Sequence, residues 1–328
     1  MNKTVKALII VLLSILGVIV IAAIAFILFM LWASKQPVVK SGYYENTVTN
    51  MPLEQKYTNI GDFEVSSTVY KSESEEIGQF KVWYPAEMEI EDKKYPLVVM
   101  ANGTGVKVSK YEAIFEHLAS WGFIVIGNED ENSRTGTSSA VSLNFMLGLN
   151  EDNNSIFYGK IDTDNIGIGG HSQGGVGTIN AVTAQENGKL YKAMYTASAT
   201  SPYWGQDNVF GAEWRYDTSK INIPCLMVGG TGNADAGIAE DISATEGQGI
   251  CPLWGMKIVY DEIPDSVCKV MARRSNVDHG DMLPLADGYM TAWFMYWLKD
   301  DEEAGEVFFG DNAEILNNSN WQDIEKNR

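Results

Sequence analysis

Ile166-Gly167-Ile168-Gly169-Gly170-His171-Ser172-Gln173-Gly174-Gly175-Val176-Gly177-Thr178 is the stretch on which the reading of this chain turns. Its centre, Gly170-His171-Ser172-Gln173-Gly174, has the form G-x-S-x-G. A short apolar run, Ile166–Gly169, precedes it, and a run of small residues that reads as a helix follows. A strand, a sharp turn and a helix in that order lift a serine hydroxyl clear of a sheet. The glycines permit a turn too tight for a Cβ, and the helix N-terminus favours negative charge that develops beside it. A phosphate-binding loop would carry Lys after the glycine, and a dinucleotide fingerprint would read G-x-G-x-x-G. Neither is present, so Ser172 is expected to be a nucleophile.

A serine hydroxyl is a poor nucleophile at neutral pH and needs a base. The chain holds three histidines. His171 adjoins the serine within the turn and is expected to support it. His117 lies on an early helix, before the nucleophile, and reads as a surface or packing residue. His279 stands in Asn276-Val277-Asp278-His279-Gly280-Asp281, after the last strand and before the last long helix. The loop at a strand's carboxyl end is where a parallel sheet presents its chemistry, which makes His279 the expected base. The third member is a carboxylate that orients the imidazole. After the apolar run Ile223–Val228, the loop Gly229–Gly237 contains one carboxylate, Asp235, with Glu240 and Asp241 further on as alternatives. For the oxyanion, the amide of Gln173 supplies one donor. The loop Asn102-Gly103-Thr104-Gly105 supplies the other, from Thr104 or, next to it, Gly103.

Working outward, Glu64–Tyr70 and Phe80–Tyr84 alternate polar and apolar and read as two antiparallel edge strands. Leu97–Ala101, Phe123–Gly127, Ile166–Gly169, Ala193–Ala197, Ile223–Val228 and Val267–Arg273 read as buried strands. Between them, Tyr111–Trp121, Val141–Leu149, Gly175–Glu186 and Met256–Ile263 have helical character, and Leu283–Leu298 reads as a long final helix. Strands alternating with helices predict an α/β fold whose mostly parallel sheet is covered on both faces.

The apolar residues are unevenly spread. Ala7–Trp32 carries no charge and is long enough to span a hydrocarbon core of about 30 Å. It exceeds the apolar centre of about 7–15 residues typical of a signal peptide. With Lys3 and Lys6 ahead of it, the run predicts an uncleaved transmembrane helix with the N-terminus in the cytoplasm. The division expected is an anchor over 1–33, a polar spacer over 34–56 and a catalytic domain over 57–328, outside the cytoplasm, or secreted if the segment is cleaved. Apart from Lys3 and Lys6 the chain carries 22 basic against 43 acidic residues, a formal −21. That surface repels phosphate backbones, so nucleic acid is excluded as a partner. Three cysteines, Cys225, Cys251 and Cys268, cannot all pair within one chain, and no spacing signals a metal or a cofactor.

Three further segments join the Gly-His-Ser-Gln-Gly-Gly turn: Tyr95-Pro96-Leu97-Val98-Val99-Met100-Ala101-Asn102-Gly103-Thr104, Leu118–Val125, and Ile263-Pro264-Asp265-Ser266-Val267. Together they make Tyr57–Arg328 resemble an α/β-hydrolase, similar to the dienelactone hydrolase, chlorophyllase and polyester-hydrolase (cutinase-like) group. The resemblance implies an eight-stranded sheet and hydrolysis of carboxylic esters through an acyl-enzyme. It also implies aromatic residues at the mouth of the site, a place that Tyr203 and Trp204 suit as substrate-binding residues. Thr104 departs from the pattern, because polyester hydrolases usually carry an aromatic residue there, which argues against polyester turnover. The anchor departs from it too. An acyltransferase, lipase or peptidase would use the same triad, and a hydrolase-fold binding protein without turnover is the contrasting alternative. The expected partner is a small or lipid-like ester, with the membrane held through the N-terminal helix.

Overall fold

The computed structural model describes residues 2–33 and 35–328. The chain divides into two units, Met1–Val38 and Val39–Arg328. The first is built on one helix, α1 (Lys3–Ala33). Its segment Leu12–Trp32 has a mean hydropathy of 3.1 over 21 residues, none of it buried. At 1.5 Å per residue that length spans about 30 Å, so α1 is long and apolar enough to cross a membrane.

The second unit begins earlier than the sequence suggests. Val39 and Tyr43 are buried, and the Tyr43 hydroxyl donates to Asp287. A short helix, α2 (Pro52–Thr58), buries Glu54, Tyr57 and Thr58. Residues 39–56 therefore pack as part of the second unit rather than forming a spacer. The segment has no apolar period because it is held at single points, each with its own hydrogen bond.

The strands are β1 (Val65–Lys71), β2 (Gln79–Pro85), β3 (Tyr95–Ala101), β4 (Ile124–Asn128), β5 (Ile161–His171), β6 (Ala193–Ala197), β7 (Cys225–Gly230), β8 (Lys269–Arg274) and β9 (Trp321–Lys326). They form one sheet in the order β1-β2-β4-β3-β5-β6-β7-β8-β9. From β4 across to β8 neighbouring strands are parallel. The β1–β2, β2–β4 and β8–β9 pairs are antiparallel. The sheet thus has nine strands rather than the expected eight. The additional one, β9, has a half-buried Trp-Gln-Asp-Ile-Glu-Lys sequence that carries no strand signal of its own.

Alternate residues of β3 feed two separate cores. Val98 and Met100 join Phe115, Leu118, Trp293 and Phe294 on one face. Leu97 and Val99 join Leu143, Met146, Ile179 and Met256 on the other. Helices α3 (Glu112–Ser120), α4 (Thr137–Glu151), α5 (Gln173–Thr183), α6 (Asn233–Ala236), α7 (Leu253–Glu262), α8 (Met282–Leu285) and α9 (Asp287–Lys299) follow in order. Of these, α3 and α9 cover the first face, and α4, α5 and α7 the second. Side chains pointing alternately into two cores are what a doubly covered parallel sheet requires.

The expected single helix over Leu283–Leu298 is broken at Ala286. The break turns Asp287 inward, where its carboxylate lies 2.8 Å from Nδ1 of the buried His117. Cys225, Cys251 and Cys268 are all buried free thiols.

Candidate active site

Strand β5 runs directly into α5 through Ser172, whose backbone (φ 60, ψ −126) lies outside the regions an L-residue normally occupies. Such a conformation costs about 1–3 kcal/mol and persists only when its surroundings dictate it. Here they do. The Ser172 amide donates to Ala197 O at 2.9 Å, and the Gly175 amide donates to Ser172 O at 2.9 Å. The crossing is close enough to require glycine on both sides. A Cβ on Gly170 would lie 2.3 Å from Gly174 O, and one on Gly174 would lie 2.2 Å from Ala101 O. The elbow is therefore wedged against the end of β3.

Two further strand ends bring the partners. His279 Nε2 lies 2.9 Å from Ser172 Oγ. Its Nδ1 lies 2.7 Å from Asp235 Oδ1. With Nδ1–H donating to the carboxylate, Nε2 is left to accept the serine proton, the tautomer a general base needs. Asp235 is fully buried. Its second oxygen, Oδ2, accepts from the Gly230 amide at 2.7 Å and from the Ser198 hydroxyl. Three donors thus satisfy a carboxylate removed from water.

The loop after β3 lies on the other side of the serine. A Cβ on Gly103 would sit 3.8 Å from Ser172 Cβ, and the Thr104 hydroxyl accepts from Gln173 Nε2 at 3.1 Å. Gln173 is the first residue of α5, so its amide has no acceptor within the helix. Asn102 anchors this loop from below. Its Nδ2 donates to Asn128 O and Asp130 O, each at 2.8 Å, and Oδ1 accepts from the Tyr111 hydroxyl. Ser133 Oγ donates to Asn102 O at 2.6 Å.

Ser172 with its neighbour Gln173, Asp235, His279 and Thr104 are thus brought together from four points of the sequence. His171 serves the same site from behind: its Nε2 donates to His279 O at 2.8 Å, with the two rings 4.6 Å apart. Burial, with the adjoining His279, pushes its pKa down to about 4, so it is neutral. His117 belongs elsewhere, with Nδ1 on Asp287 and Nε2 2.9 Å from both Thr58 O and Asn59 O. Asp241, an alternative acid in the sequence, is exposed and accepts from Ser243.

Tyr203 and Trp204 occupy a turn, Pro202–Gly205. The Trp204 indole donates to Gly249 O at 3.1 Å, and its ring stacks on Phe210 at 5.1 Å. Gly249 lies on the segment that returns from the acid, where Ile250 and Cys251 amides donate to Ala234 O and Asp235 O. Trp204 is therefore pinned to the segment that pairs with the Asp235 turn, and Tyr203 meets the Trp204 ring edge-on. The sequence reading placed Asn102 in the oxyanion loop but not as its anchor, and it missed the role of Ser198. Ser198 has a left-handed backbone (φ 47), and nothing in its neighbours' identity signals that.

A mostly parallel sheet with a strained serine between strand and helix, and a carboxylate and an imidazole brought to it from two later strand ends, is the architecture of an α/β-hydrolase. Comparison with known proteins narrows the class. Residues 50–320 match the family model described as "PETase: PET hydrolase-like", and the chain belongs to that family; at family level it is an ester hydrolase. It is also similar to the bis(hydroxyethyl) terephthalate hydrolase of Streptomyces coelicolor, at 26% identity over 253 residues, covering 74% of this chain and 68% of that protein.

Proposed function

We propose that this chain is a serine esterase that cleaves carboxylic esters through an acyl-enzyme on Ser172. The observation that carries the reading is the unbroken relay from Ser172 Oγ through His279 to Asp235, at 2.9 and 2.7 Å. In the first half-reaction His279 Nε2 takes the Ser172 proton as Oγ attacks the ester carbonyl. The carbonyl oxygen becomes an oxyanion facing the amides of Gln173 and Thr104. Such preorganised donors act most strongly where charge develops, and removing one typically costs about 10²–10³ in rate. Imidazolium, stabilised by Asp235, then gives its proton to the departing alkoxide. In the second half water attacks the acyl-serine with His279 again as base. The acyl–Oγ bond then breaks, the imidazolium returns its proton to Ser172 Oγ, and the carboxylic acid is released.

The substrate we favour is a small soluble ester rather than a polymer. Thr104 is engaged by Gln173 where polyester hydrolases usually carry an aromatic ring. Bis(hydroxyethyl) terephthalate, the compound named for the Streptomyces coelicolor relative, is the first ester to try, with Tyr203 and Trp204 as candidate contacts for its ring. The apolar helix α1 is read as an anchor that holds the esterase domain on the outer side of a membrane, since Lys3 and Lys6 precede it.

The test is hydrolysis of p-nitrophenyl esters of graded chain length by wild-type protein and Ser172→Ala. The proposal expects highest activity on short acyl chains and a loss of about 10³-fold or more in the variant. Full activity in Ser172→Ala would overturn it. Preference for long chains would move the reading to a lipase, and transfer to added alcohols in preference to water would move it to an acyltransferase.

A further inference from the structure

Asp278 stands next to the proposed base, yet its carboxylate is bonded to backbone amides and not to the ring. Oδ1 accepts from its own neighbour's amide, His279 N, at 2.8 Å, and from Asp235 N at 3.1 Å. Oδ2 accepts from Ala234 N at 3.1 Å. One carboxylate thus gathers three backbone amides from two separate loops, and two of the three belong to the proposed base and acid themselves.

The pattern has a specific meaning in terms of helix ends. A helix leaves its first amides without internal acceptors, and the residue at the N-cap normally supplies a side-chain oxygen to the second and third. The N-cap of α6 is Gly232, which has no side chain. Ala234 and Asp235 are the second and third residues of that turn, so Asp278 caps α6 from another loop. The same carboxylate also caps the turn His279–Asp281, of which Asp278 is the N-cap. Gly232 is what lets it in: a Cβ there would lie 2.4 Å from Asp278 Cβ and 2.5 Å from Cγ. The two loops are laced further by Gly232 N to Val277 O at 2.8 Å and by Asn276 N to Thr231 Oγ1 at 2.8 Å.

We infer that Asp278 is a positioning residue for the reaction: a single cap shared by the turns that carry acid and base, fixing the distance between Asp235 and His279. The inference rests on the serine-esterase reading above. Partial burial works against its charge, but the amides of His279, Ala234 and Asp235 and the nearby His279 outweigh it and hold the carboxyl below the usual range. The cap is therefore anionic at neutral pH.

The test measures the rate at which a fluorophosphonate probe modifies the full chain, with peptide mapping, in wild type, D278N and D278A of wild-type circular dichroism. D278N keeps one acceptor oxygen for the amides of His279 and Asp235; D278A keeps none. Labelling of Ser172 is expected to slow at least tenfold in D278A and less than threefold in D278N. In ester hydrolysis kcat should follow the same order with KM within twofold. The acid limb of the kcat/KM profile should move to lower pH in both variants, since both lose the anion while Asp235 and His171 still flank the ring. A residue that only stabilised the loops would lower the melting temperature and leave the labelling rate of folded protein unchanged. Equal rates in wild type and D278A, or equal slowing in D278N and D278A, would overturn the inference. If D278A does not fold, D278S replaces it; its shorter side chain reaches one amide at most, and it must label more slowly than D278N. A wild-type chain not labelled at Ser172 would instead bring down the esterase reading, and this proposal with it.

Discussion

Gly174→Ala is the substitution through which the packing of the elbow can be measured. The added methyl would lie 2.2 Å from Ala101 O, 2.8 Å from Ala101 C and 2.9 Å from Asn102 O. All three neighbours are backbone, so no side chain can swing aside. An ordinary contact is about 3.5 Å, which means the elbow and the end of β3 must part by about 1 Å. Overpacking of this kind costs about 1–3 kcal/mol of stability. The functional effect should be larger than that figure suggests, because the two parting segments carry Gln173 and the Asn102–Thr104 loop, the proposed oxyanion donors. Misplacement by about 1 Å can cost roughly 10²-fold in rate. The assay is p-nitrophenyl acetate hydrolysis, corrected for folded fraction by circular dichroism. The expected result is a fall of about 10²-fold in kcat with little change in KM, because the donors act on the transition state. Activity within threefold of wild type at unchanged melting temperature would refute the reasoning that the elbow and the oxyanion loop are rigidly coupled.

Three other outcomes follow from the packing. His117→Asn leaves Asp287 buried without its cation and should cost about 3–5 kcal/mol in urea unfolding. Burial alone would lower the His117 pKa, but Asp287 and the carbonyls of Asn59 and Thr58 outweigh it and raise it. The pair's contribution is accordingly complete below about pH 6.5 and lost as pH rises through the raised folded value; that alkaline decline should vanish in the variant, and its persistence would count against the ion pair. Ser198→Ala removes one of the three donors to Asp235. A hydrogen bond to a charged acceptor contributes about 1.5–3 kcal/mol, so kcat should fall about tenfold, and a change under twofold would show the hydroxyl to be idle. Asn102→Ala frees the carbonyls of Asn128 and Asp130 from their donor; kcat should drop more than KM changes, and an equal effect on both would place the loop in substrate binding.

Much of the candidate site is legible in the sequence because its chemistry is tied to strand ends. Ser172, Asp235 and His279 each follow an apolar run, and each is a residue type with few competitors nearby. The residues that hold them are harder to read. Ser198 and Asp278 act through hydrogen bonds to groups distant in sequence, 37 residues away for Ser198 and Asp235 and 43 for Asp278 and Asp235. Neither interaction leaves a local pattern. The same holds for the fold. Buried strands announce themselves as continuous apolar runs, whereas β9 alternates too weakly to show. Residues 39–58 are fastened by Tyr43, Glu54 and Tyr57 singly, so no period marks them. The interruption at Ala286 is likewise a tertiary effect, since it is the His117–Asp287 pairing that needs Asp287 turned inward.

The central claim is a covalent one, that ester cleavage passes through Ser172. Rapid acid quench of the full-length chain mixed with p-nitrophenyl acetate, followed by intact mass and peptide mapping, reads it directly. The account predicts a transient gain of one acetyl group, mapped to the peptide containing Ser172 and absent from Ser172→Ala. Turnover that proceeds with no acylated species at any quench time, or an acetyl group mapped to another residue in a variant that still turns over, would contradict it.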